Sequence, residues 1–239
     1  MSDAEVTGGG DELRDRLALA FDVDDLVEAT RLGRRLVGYF GVAKIGLELY
    51  SAAGPDAIGA LGELGFRVFC DLKLHDIPTT VEKASRVLGA LGVSHVTYHA
   101  HGGVEMLAAG VAGLSEGARN AGVDEPASLA ITVLTSDADA PPHIMPKRVM
   151  VAAEAGCTGI VCAAADLAEA HHYAPRLLRV VPGIRLPGDP VDDQRRAASP
   201  AEALAGGADL LVVGRAVTRA PDPVAAAERL HAAALGAEV

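Results

Sequence analysis

Eight short stretches rich in aliphatic residues recur along the chain, and each is followed by a segment long enough to form a helix. Aliphatic and β-branched runs of this length are typical of buried strands, and Ala- and Leu-rich segments with scattered charge are typical of helices. The predicted strands are Arg16–Val23, Tyr39–Leu47, Arg67–Lys73, His95–Ala100, Ser128–Thr135, Gly156–Ala163, Leu178–Ile184 and Ala208–Gly214. Predicted helices include Asp25–Leu36, Val81–Leu91 and Val224–Ala234.

This alternation determines the expected fold. Strands separated by helices pair in parallel, because each helix carries the chain back to the starting edge of the sheet. The run Leu210-Leu211-Val212-Val213 is apolar throughout, as expected for a strand buried on both faces. Eight such units predict an α/β fold, a single-domain (β/α)8 TIM barrel, with a doubly wound open sheet as the alternative. We expect the barrel to occupy residues 15–239 and the acidic, glycine-rich residues 1–14 to form a disordered tail.

The amino-acid composition argues against nucleic acid and membrane as partners of this chain. The 21 basic and 32 acidic residues give a net charge of −11, and the chain has 4 Tyr, 4 Phe and no Trp. An acidic, aromatic-poor chain is poorly suited to coating nucleic acid. The N-terminus lacks the pattern of a signal peptide, and the uncharged stretch Val87–Val104 is too rich in His and Gly for a membrane span. Three cysteines without a CxxC pair favour a reducing, cytoplasmic setting.

The third predicted strand ends in the most informative motif of the chain, Asp71-Leu72-Lys73-Leu74-His75-Asp76-Ile77-Pro78-Thr79-Thr80. Alternate side chains of a strand share a face, so Asp71 and Lys73 are expected to point the same way. If the apolar Cys70 and Leu72 face the helices, the charged pair faces the mouth of the barrel.

Residues from this motif and from two other strands extend the group. Asp76 falls just past the third strand, and Pro78 suits the first position of a helix. Asp22 ends the apolar run of the first predicted strand, and Lys44 lies within the second strand. Neighbouring strands are about 4.8 Å apart, so these charges should meet at the barrel mouth, where the chemistry of such barrels takes place.

Two interpretations of this cluster are open. One ionised group buried alone destabilises a protein by several kcal/mol, whereas an interleaved network of two ammonium and two carboxylate groups is tolerable. A single Lys–Asp pair is often a structural salt bridge. Four charges that converge on one mouth favour a catalytic site, and we expect the four groups to be shielded from water.

With these residues in place, the chain resembles the orotidine 5′-phosphate decarboxylases. The resemblance spans roughly residues 16–230 and rests on Asp71-x-Lys73-x-x-Asp76-Ile77-Pro78-x-Thr80, with Asp22 and Lys44 upstream. Motifs near the ends of later strands add to it, namely His99-Ala100-x-Gly102-Gly103, Leu134-Thr135-Ser136, Pro182-Gly183-Ile184-Arg185, Asp193-Gln194 and Val213-Gly214-Arg215. The resemblance implies removal of CO2 from orotidine 5′-phosphate to give UMP, the last step of de novo pyrimidine nucleotide biosynthesis, with no metal and no organic cofactor.

The resemblance also implies roles for the charged residues. Lys73 is expected to be the proton donor, held cationic by Asp71 and Asp76. Asp71 is expected to lie beside the carboxylate of the substrate. Lys44 would link the charged network to the ribose hydroxyls, and Asp22 would accept a hydrogen bond from a hydroxyl.

Other residues are expected to bind the phosphate and the base. Gly214 and Arg215 lie at the end of the eighth strand, where these barrels commonly bind phosphate, and Arg185 is a second candidate. The stretch from Arg185 to Gln194 is interpreted as a lid, with Gln194 bridging phosphate and base. Thr135 is a candidate hydrogen-bond partner of the pyrimidine amide.

The resemblance further implies a homodimer in which Asp76 and Thr80 reach the neighbouring site. A relative of the hexulose-phosphate synthase or ketogulonate-phosphate decarboxylase kind, which uses Mg²⁺, is one alternative, but a carboxylate would be expected there in place of Lys44. A non-catalytic sugar-phosphate binding protein is another. The spacing of His95, His99 and His101 resembles a metal site, yet packing or loop hydrogen bonds explain it better.

Overall fold

The computed structural model describes residues 12–134, 137, 140–186 and 198–236. Eight strands form a closed barrel in chain order, and β1 pairs with β8 in parallel to close it. The strands are β1 Leu17–Phe21, β2 Val42–Ile45, β3 Arg67–Leu74, β4 His95–His99, β5 Ala127–Ile131, β6 Gly159–Val161, β7 Leu178–Pro182 and β8 Leu210–Val213. The predicted single-domain (β/α)8 barrel is confirmed, and the open-sheet alternative is excluded by the β1–β8 pairing.

Helices follow the strands around the barrel. They are α1 Leu26–Leu36, α2 Leu47–Ala53, α3 Asp56–Gly62, α4 Pro78–Ala90, α5 Gly103–Ala121, α6 Ile144–Glu154, α7 Leu167–Tyr173, α8 Pro200–Ala205, α9 Arg215–Thr218 and α10 Pro223–Ala234. Asp25 caps α1 by accepting a 2.7 Å hydrogen bond from the amide of Glu28. Pro78 opens α4, as its missing amide hydrogen and fixed φ predicted.

Apolar side chains separate into two layers. The outer core lies between strands and helices and includes Leu17, Leu19 and Phe21 of β1. The inner cluster fills the barrel with residues that alternate with these, and its members are Ala18, Ala20, Val42, Phe69, Leu129, Val180, Leu210 and Val212. Two alanines on the inner face of β1 take up little volume, which leaves room at the carboxyl ends of the strands.

Leu13 lies on the tail side of the boundary predicted at residue 14, yet it is buried in the outer core. Arg14 donates a 2.9 Å hydrogen bond to the carbonyl of Val37. Residues 1–11 of the predicted tail lie outside the described residues. Within the described part of the chain, no helix combines the length and apolar character needed to cross a bilayer.

Helices α4 and α5 pack unusually close together, and glycine makes this possible. A Cβ atom on Gly117 would lie 2.0 Å from the carbonyl oxygen of Arg86, and one on Gly113 would lie 2.2 Å from that of Glu82. From the other side, a Cβ on Gly89 would lie 2.2 Å from the carbonyl oxygen of Leu114. The α4–α5 contact therefore depends on missing side chains and fixes the helices that follow β3 and β4.

We expect Gly117→Ala to lower the free energy of unfolding by at least about 2 kcal/mol, because the added methyl group overlaps the α4 backbone. Gly59→Ala is the matched control, since a Cβ at Gly59 of α3 meets nothing within 4 Å. That variant should be stabilised by about 0.5–1 kcal/mol through its better helix propensity. Urea unfolding of both variants checks this, and an equal effect of the two substitutions would contradict the packing analysis.

Candidate active site

The carboxyl ends of the strands open into a cavity of about 500 Å³. Seven of the residues predicted from sequence line it, namely Asp22, Lys44, Asp71, Lys73, Arg185, Gly214 and Arg215. They come from the ends of β1, β2, β3, β7 and β8, so the barrel gathers side chains that are far apart in sequence. Glu48, Thr218 and Arg219 also line the cavity and were not predicted from the sequence.

The four predicted charges form one connected network. Lys73 Nζ lies 2.8 Å from Asp71 Oδ2, and Lys44 Nζ lies 3.5 Å from the same oxygen. Lys44 Nζ is also 3.3 Å from Asp22 Oδ1. The order Asp22–Lys44–Asp71–Lys73 alternates in sign, as the sequence predicted, and Asp71 is shared between two ammonium groups.

Asp71 stays ionised although it is largely removed from water. Burial on its own would raise the pKa of this carboxyl. The charges of Lys44 and Lys73, with hydrogen bonds from Lys73 and Thr97, outweigh burial and hold the pKa below its ordinary value of 3.8. Asp71 is therefore a fixed negative charge at neutral pH.

Shielding from water is uneven across the network, which corrects one expectation. The side chains of Lys44 and Asp71 are 10% and 14% exposed, and Lys73 is 30% exposed. Asp22 is 53% exposed, so the prediction that all four groups are shielded is wrong for this residue. Asp22 directly follows β1 at the rim of the barrel, where water reaches its carboxylate.

Strand β3 departs from regular geometry where the motif begins. Cys70 pairs with Val96 and Leu74 pairs with Tyr98, so the three residues 71–73 lie opposite the single residue Thr97 of β4. The outward orientation predicted for Cys70 and Leu72 is confirmed, because both contact the outer core. The regular strand expected through Lys73 is not present, although Asp71 and Lys73 still meet.

The candidate phosphate-binding residues line the cavity at the ends of β7 and β8, and they are Arg185, Gly214 and Arg215. Arg185 Nη1 donates a 3.0 Å hydrogen bond to the carbonyl of Ile184. Its Nη2 is buried and has no hydrogen-bond partner within the described residues. An unpartnered buried guanidinium nitrogen at a cavity wall is suited to an anionic ligand.

The other four predicted residues divide into two that the structure does not describe and two that lie outside the cavity of this chain. Thr135 and Gln194 lie outside the described residues, as does most of the predicted lid. Asp76 and Thr80 are described and exposed. Asp76 Oδ1 accepts a 2.6 Å hydrogen bond from the amide of Ile77, and within the described part of this chain no ion pair joins it to Lys73.

The three histidines whose spacing resembles a metal site lie in two environments. His95 lies inside the barrel, where Ser94 Oγ is 2.8 Å from its Nδ1 and its ring is 5.5 Å from that of Phe69. Burial lowers the pKa of His95 to about 4. His99 and His101 instead contact the ring of His75, with centroids 5.8 and 5.7 Å away. No group of three or more His, Cys, Asp or Glu side chains in the described residues is arranged to hold a metal ion.

Comparison with known proteins places this geometry in a family context. A family model described as "Orotidine 5′-phosphate decarboxylase / HUMPS family" matches residues 15–230. Proteins named orotidine 5′-phosphate decarboxylase from Moorella thermoacetica and Anaeromyxobacter sp. (strain K) are 42% and 43% identical to this chain. These matches cover 92% and 91% of this chain and 92% and 97% of the relatives. The crystal structure of orotidine 5′-phosphate decarboxylase from Lactobacillus acidophilus matches with a TM-score of 0.78 at 31% identity, over 92% of this chain and 99% of that one.

We expect Asp71→Asn to lower the free energy of unfolding by about 3 kcal/mol, because it leaves two ammonium groups without their shared counter-charge. Asp22→Asn is the matched control, since it removes a carboxylate that is half exposed, and it should change stability by less than about 1 kcal/mol. Urea unfolding at neutral pH measures both. If Asp71→Asn proved as stable as Asp22→Asn, the shared ion pair would not stabilise the fold.

Proposed function

The chain belongs to the orotidine 5′-phosphate decarboxylase / HUMPS family, and we propose that it is the carboxy-lyase that converts orotidine 5′-phosphate to UMP and CO2, the last step of de novo pyrimidine nucleotide biosynthesis. The observation that carries this proposal is the ammonium group of Lys73, 2.8 Å from the Asp71 carboxylate, at the cavity mouth. Relatives that cover nearly the whole chain bear the name of this enzyme.

Lys73 is the proposed proton donor. When the bond between C6 and the carboxylate breaks, its electron pair remains on C6 as a carbanion that the pyrimidine ring delocalises poorly. An ammonium group close to C6 stabilises that charge as it develops and then transfers a proton to it. Loss of CO2 and gain of this proton give UMP, and Lys73 is reprotonated from solvent.

Asp71 has two proposed roles. It orients the ammonium group of Lys73, which the 2.8 Å contact supports. It also places a negative charge beside the carboxylate of the substrate, which raises the energy of the bound ground state, and the repulsion disappears as CO2 leaves. Both roles require an ionised Asp71, in agreement with its lowered pKa.

Lys44 and Asp22 are proposed to bind the ribose hydroxyls. Lys44 contacts both Asp22 and Asp71, so it couples the sugar to the charged network. The exposed carboxylate of Asp22 is free to accept a hydrogen bond from a hydroxyl group. Thr135 and Gln194 remain proposed contacts of the base and of the phosphate on the strength of the sequence motifs alone.

The phosphate is proposed to bind between the ends of β7 and β8. Arg185 Nη2, which has no hydrogen-bond partner among the residues described, supports this position, and Arg215 brings a second guanidinium to the same cavity. Gly214 has no side chain, so the phosphate can approach its backbone closely. Binding energy from the phosphate, which does not react, is then available to stabilise the transition state at C6.

The proposed reaction uses neither a metal ion nor an organic cofactor. A divalent cation at Asp71 would lie against two ammonium groups, both within 3.5 Å of that carboxylate. A Mg²⁺-dependent relative would be expected to have a carboxylate in place of Lys44, and this chain has lysine there. Cys70, Cys157 and Cys162 are buried and form no disulfide among the described residues, which agrees with a cytoplasmic setting.

The active unit is proposed to be a homodimer in which Asp76 and Thr80 of each subunit complete the site of the other. Both residues are exposed and lie outside the cavity of their own chain. They flank Ile77, an apolar side chain that is 66% exposed in the single chain. An exposed apolar side chain between two polar residues is suited to burial at an interface.

We expect Lys73→Ala to lower kcat for orotidine 5′-phosphate by at least about 1,000-fold, because it removes both the proton and the stabilising charge. Lys147→Ala, at an exposed lysine of α6, is the matched control and should retain wild-type activity. The decrease in substrate absorbance measures the rate. Near-native activity of Lys73→Ala would refute its assigned role.

The same assay separates the alternative functions. The wild-type rate should be unchanged by EDTA, whereas loss of turnover on chelation would favour a metal-dependent relative. Tight binding of the nucleotide without release of CO2 would favour a binding protein. Either result would refute the proposed reaction.

Sharing of sites between subunits predicts complementation. Lys73→Ala and Asp76→Ala homodimers should each be nearly inactive, but each mixed dimer contains one site with both native residues. Subunit exchange at equal concentrations should therefore restore activity to about a quarter of the sites, as the two-fold arrangement requires. If mixing restores no activity while mixed dimers form, Asp76 does not act across the interface.

A further inference from the structure

Thr97 is a fully buried residue of β4 that lies directly against the charged network. Its side chain is inaccessible to solvent. A hydroxyl group buried in this way needs hydrogen-bond partners within the protein. Thr97 Oγ1 donates to Asp71 Oδ1 at 3.0 Å and accepts from the backbone amide of Lys73 at 2.9 Å. One hydroxyl thus connects the shared carboxylate to the backbone of the proposed proton donor.

The irregular pairing of β3 explains why the hydroxyl is needed. Between the pairs Cys70–Val96 and Leu74–Tyr98, three residues of β3 face one residue of β4. Backbone groups in such a bulge lose their partners in the strand ladder. The amide of Lys73 binds the side chain of Thr97 instead.

The same bulge places Lys73 in an unusual backbone conformation. Its φ is +52°, and no other non-glycine residue in the described part of the chain has a positive φ. This left-handed conformation is unfavourable for a side chain with a Cβ, and it persists only where the surroundings impose it. The hydrogen bond from the Lys73 amide to Thr97 is a contact that imposes it directly.

We propose that Thr97 is a positioning residue for the decarboxylation, which fixes the Asp71 carboxylate and the backbone of Lys73 relative to each other. This inference rests on the proposed function of Lys73 and Asp71. Thr97 does not line the cavity, so it acts through these two residues.

Loss of the hydroxyl has two predictable consequences. The Lys73 backbone is freed from its only side-chain hydrogen bond in the described residues, and the ammonium group moves from its place beside Asp71. The hydrogen bond from Thr97 also helps to lower the pKa of Asp71, together with the charges of Lys44 and Lys73, so its removal raises that pKa.

The decisive variant is Thr97→Val, which keeps the shape of the side chain and removes the hydroxyl. We expect kcat for orotidine 5′-phosphate to fall by about tenfold to a hundredfold, as displacement of a reacting group does. KM should change little, because Arg185 and Arg215 are untouched. The acidic limb of the kcat profile should move to higher pH, because protonated Asp71 no longer supports Lys73. Thr97→Ser, which keeps the hydroxyl, should restore kcat and the position of this limb.

Thr132→Val is the matched control. Thr132 is buried at the end of β5, and its hydroxyl donates to the carbonyl of Val161 at 2.8 Å, away from the charged network. This variant should lose stability without a change in kcat or in the pH profile. If Thr97→Val does not fold, Thr97→Ser and Thr97→Ala provide the same comparison, since they differ in one oxygen atom.

The outcomes separate this inference from the proposed function. Wild-type protein that does not decarboxylate orotidine 5′-phosphate would refute the function itself. Active wild type with a Thr97→Val variant that is merely less stable, with unchanged kcat and pH profile, would overturn the positioning role alone. Loss of kcat in Thr97→Val that Thr97→Ser fails to restore would also overturn it.

Discussion

A carboxylate that is mostly withdrawn from water must keep positive charge beside it, and the site of this protein is organised by that requirement. Asp71 is 14% exposed and has an ammonium group on either side, from Lys44 of β2 and Lys73 of β3. Without both partners, burial would favour the neutral acid. An ionised Asp71 in turn lies 2.8 Å from the ammonium group of Lys73, the proposed proton donor.

The closed barrel supplies the rigidity that such a network needs. The strands that hold Lys44 and Asp71 are neighbours in the sheet, and their separation is fixed by backbone hydrogen bonds. Helices α4 and α5 follow β3 and β4, and their glycine-mediated contact fixes the segments that leave the two strands. The irregular backbone of Lys73 is thus held by its neighbours. These are the regular strand β2, the buried hydroxyl of Thr97 and the tightly packed pair of helices α4 and α5.

The order of the elements and the meeting of the four charges could be predicted from sequence, because both follow from periodicity. Polar residues within or just after apolar runs were recognisable in the sequence. They are Asp22, Lys44 and the charged residues of the β3 motif. The bulge in β3 could not be predicted, since alternation assumes a regular strand and a lysine carries no signal for positive φ. Nothing in the sequence indicated a role for Thr97, because threonine is common in strands. Only the observed strand pairing brings its hydroxyl within hydrogen-bond distance of Asp71. The exposure of Asp22 depends on where β1 stops, which composition does not determine.

The central claim is that Asp71 is a fixed negative charge held between two cations. Titration of its side-chain carboxyl carbon by ¹³C NMR in the intact protein measures this directly, with Asp71→Asn to assign the resonance. We expect a pKa below the ordinary aspartate value of 3.8, because the charges of Lys44 and Lys73 outweigh burial. An Asp71 carboxyl that titrates at or above that value would contradict the account, because burial would then dominate and the charge on which the network depends would not be secured.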